Sequence, residues 1–247
     1  MTAWVRKGVL GGLVLLGLAL ALGCVEHRRD GHDHASDRHG AHQAERQHQG
    51  HHRGPADIQE YLAKLDRPER DAYQKPRQVI DALQLTPGMA IADVGAGSGY
   101  FTRRFVEAVG HTGTVYAIDV EQDMLDYVKN SLKGIRGASS THFILTRPDA
   151  LALPPDSADV LFLCNVYHHL EGRTQYFASA NPVLRPGGRI VIIDFYHDHR
   201  SGDVGFPRRH LVARQTVVRE MAAAGYGLAR EHDFLTRQYF LEFTVAD

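Results

Sequence analysis

The stretch Ile91-Ala92-Asp93-Val94-Gly95-Ala96-Gly97-Ser98-Gly99-Tyr100 decides how the rest of the chain is read. A short apolar run of strand character carries an acid near its end, then three glycines at alternate positions lead into a helical pattern. Glycines permit a tight turn and close approach of a ligand to the backbone, with a helix N-terminus behind them. The spacing is Gly-x-Gly-x-Gly, not the Gly-x-Gly-x-x-Gly that cradles a pyrophosphate. Asp93 would also be unwelcome beside phosphates. Both details favour a ligand with a cationic group near the loop. Plainer roles stay open: Gly99 could serve helix–strand packing, and Asp93 could cap the helix.

Outward from this loop the pattern alternates. Strand-like runs at Ala90–Val94, Val115–Val120, His142–Leu145, Val160–Leu163 and Arg189–Asp194 are separated by helical spacing at Tyr100–Val109, Gln122–Leu132, Arg173–Leu184 and Leu211–Ala224. That order predicts a mainly parallel sheet with helices on both faces. Apolar runs at Gly227–Phe234 and Gln238–Val245 read as a hairpin on one sheet edge. Ile58–Leu65 and Tyr73–Leu85 read as amphipathic helices forming a flank or lid. The second strand ends in Asp119, where a carboxylate can take both hydroxyls of a ribose. Val120 and Met124 follow it with apolar surface suited to an adenine face. Asp149-Ala150 stands after the third strand, within reach of an exocyclic amine. Asn165 closes the fourth strand, and Leu184-Arg185-Pro186-Gly187-Gly188 turns into the fifth.

Taken in order, these motifs resemble a class I S-adenosylmethionine-dependent methyltransferase over about Gln74 to Val245. The resemblance implies a Rossmann-like α/β sandwich with an antiparallel C-terminal edge strand and S-adenosylmethionine as cofactor. It implies that Asp93, Gly95, Gly97 and Gly99 hold the methionyl portion and Asp119 the ribose. Val120 and Met124 would flank the adenine, Asp149 and Ala150 would meet its amine, and Asn165 would line the methyl-transfer end. Without a cluster of cysteines, the domain departs from arsenite-methylating members. Asn165-Val166-Tyr167-His168 replaces an Asn-Pro-Pro-Tyr-like motif, which argues against DNA- and glutamine-methylating members. A small organic acceptor is expected, as in the quinone- and small-metabolite-methylating branch.

Positioning alone can lower a displacement barrier by roughly 7–11 kcal/mol. Some acceptors also need a base. Tyr167, His168 and His169 are the candidates after the fourth strand. Tyr196, His197, Asp198 and His199 follow the fifth, the last three with metal chelation as an alternative. Cys164 reads as a small buried hydrophobe.

The chain's 28 Lys+Arg against 29 Asp+Glu give a formal net charge of -1, which argues against nucleic acid as a partner. Two cysteines cannot build a disulfide scaffold or a four-cysteine zinc site. Of 16 histidines, eight lie between His27 and His52. Residues 1–23 read as a signal peptide: Arg6 and Lys7 precede an uncharged apolar run that is shorter than the ~20 residues of a spanning helix. Its end, Leu20-Ala21-Leu22-Gly23-Cys24, resembles a bacterial lipoprotein site, which implies lipidation of Cys24 and membrane attachment at the cell envelope. An ordinary secretory signal or short anchor is the alternative, and the chain is cytoplasmic if neither holds. Residues 24–54 are too poor in apolar groups to order themselves and read as a His-rich disordered tether. That tether could weakly hold a divalent metal. Residues 55–88 form the helical flank and 89–247 the cofactor-binding domain. The rival reading is a non-catalytic methyltransferase-like envelope lipoprotein whose tether binds metal. A nicotinamide oxidoreductase is disfavoured by the loop spacing.

Overall fold

The computed structural model describes residues 55–205 and 207–246. The signal segment, Cys24 and the His-rich tether lie outside the described residues. The chain runs α1 (Pro55–Leu65), α2 (Glu69–Gln74), α3 (Pro76–Leu83), β1 (Ala90–Val94), α4 (Thr102–Val109), β2 (Thr114–Asp119), α5 (Gln122–Ser131) and β3 (Thr141–Leu145). It continues through β4 (Ala158–Cys164), α6 (Arg173–Ala178), β5 (Leu184–Phe195), α7 (Arg214–Ala223), β6 (Tyr226–His232) and β7 (Gln238–Val245).

The strands form one seven-stranded sheet in the order β3-β2-β1-β4-β5-β7-β6. β1 pairs in parallel with β2 and with β4, so the strand order reverses direction between β1 and β4. In open α/β sheets ligands settle at such a switch point, outside the carboxyl ends of the strands. β7 is antiparallel to both β5 and β6 and lies between them, leaving β6 outermost.

Strand alternation sorts the core into two layers. Ile91, Val160, Phe162, Val191, Ile193 and Phe240 face one side, where Val79 and Leu83 of α3, Phe105 and Val109 of α4, and Val128 of α5 cover them. Ala92, Leu161, Leu163, Ile190, Ile192 and Leu241 face the other, beneath Tyr176 and Phe177 of α6 and Val217 and Met221 of α7. Burial on both faces explains the nearly unbroken apolar runs of β1, β4 and β5.

Among the boundaries that differ from the sequence expectation, three fall at proline chemistry. The expected helix over Tyr73–Leu85 is two helices, α2 and α3, broken at Lys75, which adopts φ 44°. Proline disfavours helical backbone in the preceding residue and is itself well suited to start a helix, and Pro76 does both. The helix expected to reach Leu184 stops at Ala178, followed by a short 3-10 turn over Asn181–Val183 that contains Pro182. The Pro186-Gly187-Gly188 segment lies within β5, where the pairing jumps from Ala158↔Leu184 to Val160↔Arg189.

Candidate active site

The glycine loop is tied to the end of β2. The N–H groups of Gly95 and Ala96 both donate to the Ile118 carbonyl, at 2.8 and 3.0 Å, and Gly97 N–H donates to Asp119 Oδ2 at 2.8 Å. These loop amides are thus engaged within the protein and form no phosphate cradle, in keeping with the loop's spacing. Gly95, Gly97 and Gly99 all have positive φ (71°, 55° and 74°). At Gly95 a β-carbon would lie 2.4 Å from Val166 Cγ2, so the loop after β1 packs directly on the loop after β4.

Asp119 is 8% exposed, and its Oδ1 accepts Glu121 N–H at 3.0 Å. Burial raises its pKa, while the backbone donors at Gly97, Glu121 and Val120 oppose the rise. Each carboxylate oxygen keeps a lone pair for an incoming hydroxyl. Val120 is 49% exposed and Leu145, whose Cα pairs with that of Asp119, is 53% exposed. Apolar surface held open to solvent next to a buried carboxylate suits an adenosine, apolar at its base and polar at its ribose. The residues present therefore fit S-adenosylmethionine. Leu145 was absent from the sequence candidates; its signal was an apolar side chain at the carboxyl end of the third strand, next to Asp119.

The other expected residues fall into two groups. Asp149, exposed and ion-paired with Arg147 at 3.1 Å, lies beside Ala150 in the turn after β3. Asn165 holds φ 59°, donates its N–H to the Ile193 carbonyl at 2.8 Å and accepts Gln238 Nε2 at 2.6 Å. Asp93 is instead buried and accepts the Thr102 hydroxyl at 2.5 Å, so it pins the first turn of α4. Burial pushes its carboxyl up to about 6 against the Thr102 hydrogen bond. Met124 is buried with Ile58 and Leu62 of α1, giving its apolar surface to the flank.

After β4 the three candidates diverge. Tyr167 is fully buried in the core, and its hydroxyl donates to Glu220 Oε2 at 2.7 Å, a carboxylate also held by Arg173. Burial, then Glu220, raises its pKa far above the ordinary phenol range, so Tyr167 is no base. His168 has a side chain only 3% exposed, with Nδ1 at 2.8 Å from Asp194 Oδ1. Asp194 also accepts the N–H groups of His168 and Phe195, at 3.1 and 2.8 Å. This arrangement places the imidazole proton on Nδ1 and the lone pair on Nε2. His169 is exposed as a residue, yet its ring lies 4.1 Å from that of His168. Desolvation, then the neighbouring His168, lowers it to about 4, so it is neutral at pH 7. Burial pushes the Cys164 thiol up to about 12, which leaves it a protonated packing residue. Asp198 is engaged by Arg200 at 2.6 Å, and no group of three His, Cys, Asp or Glu side chains among the described residues could hold a metal ion.

The flank closes over the loop from the side. Ser98 donates to Asp66 Oδ1 at 2.6 Å, Arg103 pairs with the same carboxylate at 3.2 Å, and the Tyr100 hydroxyl donates to Asp71. None of these partners was legible from the motif.

Sheet order and site together define a Rossmann-like methyltransferase fold, with S-adenosylmethionine as the cofactor it implies. Residues 92–190 match the family model described as a methyltransferase domain. Among particular proteins, the chain is similar to the ubiquinone/menaquinone biosynthesis C-methyltransferase UbiE of Vibrio parahaemolyticus, 29% identical over 119 residues, which cover 48% of this chain and 46% of that protein. The same-named protein of Shewanella pealeana is 29% identical over 121 residues, covering 48% and 47%. The chain thus spans about half the length of the curated relatives it matches. Among solved structures, an S-adenosylmethionine-dependent methyltransferase from Aquifex aeolicus superposes with a TM-score of 0.70 at 25% identity, covering 77% of this chain and 99% of that one. A Bordetella parapertussis protein described as a possible exported protein shares the fold, with a TM-score of 0.60 at 16% identity, covering 84% and 79%.

Proposed function

We propose that this protein is an S-adenosylmethionine-dependent methyltransferase that methylates a small organic molecule at the cell envelope. The observation that carries the reading is the clamp of Gly97 on Asp119 at the β1/β4 switch point, with Val120 and Leu145 open beside it. Asp119 would hold the ribose, Val120 and Leu145 the base, and the loop after β1 the methionyl end. Bound there, the cofactor supplies a methyl group on a sulfonium, already activated for displacement. The protein's task is then alignment, with a base wherever the acceptor must lose a proton.

His168 is suited to that proton. Asp194 fixes its tautomer and stabilises the imidazolium that proton uptake would form. The names of the curated relatives favour a carbon acceptor on a quinone-precursor ring. At such a carbon the acceptor would lose a ring proton as it gains the methyl group, and His168, held through Nδ1 by Asp194, would be the group to take that proton. Envelope attachment through lipidated Cys24 rests on the signal-like residues 1–23.

The test is transfer of labelled methyl to a panel of phenols, hydroquinones and small amines. His168→Asn keeps a donor toward Asp194 and removes the base. It should lower the rate about 10²-fold or more while cofactor affinity stays within a factor of two. An unchanged rate removes His168 from the chemistry, and no transfer to any acceptor class by the wild type removes the enzyme reading.

A further inference from the structure

The inner face of α2 carries two polar groups that the site described so far does not use. Arg70 and Gln74 stand one helical turn apart and so share a face. Gln74 is fully buried. Its Oε1 accepts Gln238 Nε2 at 3.4 Å, and its Nε2 has no hydrogen-bond partner. The Arg70 guanidinium lies 3.8 Å from the centre of the Tyr100 ring, immediately past the glycine loop, and gives one N–H to the Leu65 carbonyl at 2.9 Å. Its Nε is buried and has no partner.

The nearby carboxylates are already taken: Asp66 by Ser98 and Arg103, Asp71 by Tyr100 and Arg104. Arg70 is close enough to Asp93 on β1 and Cys164 on β4 for its charge to lower the pKa of both, and its guanidinium also hydrogen-bonds the Cys164 side chain, which leaves Nε as its buried donor without a partner. A cation thus stands where β1 and β4 part, with two unpartnered N–H donors on one helix face. Buried donors in native proteins are rarely left without an acceptor. A carboxylate is the ligand that matches a guanidinium and an amide N–H together, because it offers two oxygens to a fork of donors.

We propose that Arg70, with Gln74 beside it, binds the α-carboxylate of the cofactor's methionyl end. The proposal rests on the reading of the crevice as an S-adenosylmethionine site. It adds a recognition element from α2, outside the 92–190 stretch that matches the methyltransferase model. The flank then serves as part of the binding site, because cofactor recognition requires α2 to be docked on the loop.

The experiment is calorimetric titration of the full chain and its Arg70→Met and Arg70→Lys variants with three ligands. S-adenosylhomocysteine carries the carboxylate, its decarboxylated counterpart keeps only the amine, and 5′-methylthioadenosine lacks the whole amino-acid end. Arg70→Met should weaken S-adenosylhomocysteine about ten- to a hundredfold, as expected for a lost charge-assisted hydrogen bond, and leave methylthioadenosine within twofold. Arg70→Lys should fall between. In the wild type, removing the ligand's carboxylate should weaken binding as much as Arg70→Met does, and in Arg70→Met it should change nothing further. Equal weakening of all three ligands means that Arg70 merely props the flank on Tyr100, and overturns the proposal. So does equal wild-type affinity for the two amino-bearing ligands, a result that needs no variant to fold. An unchanged S-adenosylhomocysteine affinity with a raised KM for acceptor would assign Arg70 to the acceptor and also overturns it. No binding of any ligand to the wild type overturns the crevice reading as well, whereas tight binding indifferent to Arg70 overturns this proposal alone.

Discussion

Gly95→Ala tests the packing of the two loops at the switch point. Two separate strains follow from the structure. The residue sits at φ 71°, in the left-handed region, where a side chain costs roughly 1–2 kcal/mol. The added β-carbon would also lie 2.4 Å from Val166 Cγ2 and 3.2 Å from Cγ1. Relieving that overlap requires Val166 or the loop to shift, at about 1–3 kcal/mol for overpacking. The single variant should therefore lose about 2–5 kcal/mol of stability. Val166→Ala alone removes partly buried methyl groups and should cost about 1–2 kcal/mol. In the double variant the overlap is gone and only the backbone strain remains. The two effects should then fall short of additivity by about 1–3 kcal/mol. Urea unfolding of the four proteins, with slopes compared to confirm a common transition, reads this coupling directly. Additivity within about 0.5 kcal/mol would show that Val166 does not crowd Gly95, and the account of the switch point would fail.

Asp93 gives a pH-dependent prediction. Its folded pKa, raised to about 6 from 3.8, means that the folded protein binds its proton more readily than the unfolded chain between those values. Stability from this group therefore rises as pH falls from about 6 toward 4, and is lost as pH rises through the folded value. Asp93→Asn removes the titration, so the variant's advantage at pH 7, of order 2–3 kcal/mol at most, should shrink as pH approaches 4 in parallel urea series. A constant difference across that range would contradict the assigned burial. Tyr167→Phe should cost about 1–2 kcal/mol in the same assay, through the lost hydrogen bond to Glu220, and leave the rate of methyl transfer unchanged. A fall in rate at unchanged cofactor affinity would return Tyr167 to the chemistry.

Much of this architecture is legible from local pattern, because β1, β4 and β5 are buried on both faces and their apolar runs end at polar residues. Asp119 could be placed at a strand tip because strand alternation and the glycine loop fix the same register from two directions. The breaks at Lys75 and Ala178 were harder. Helical spacing continues across them, and only the tertiary position of Pro76 and Pro182 decides where the backbone turns. Asp93 illustrates a second limit. Its residue type and position agree with a cation-facing role, yet its side chain turns toward Thr102, nine residues on, a choice made by packing on α4. Tyr167 and His168 are neighbours in sequence, but successive side chains of the turn point to different places, one to Glu220 and the other to Asp194. The flank was the least legible. Asp66, Arg70, Asp71 and Gln74 carry no motif, and their partners Ser98, Tyr100, Arg103 and Gln238 are distant in sequence, so only the folded chain brings them onto the loop.

We propose that the crevice built from the glycine loop and Asp119 binds S-adenosylmethionine. Isothermal titration of the full chain with S-adenosylmethionine tests it most directly. One molecule should bind per chain, with Asp119→Ala weakening the affinity about tenfold or more, as expected for a lost charge-assisted contact. No detectable heat at millimolar cofactor, or binding indifferent to Asp119, would contradict it.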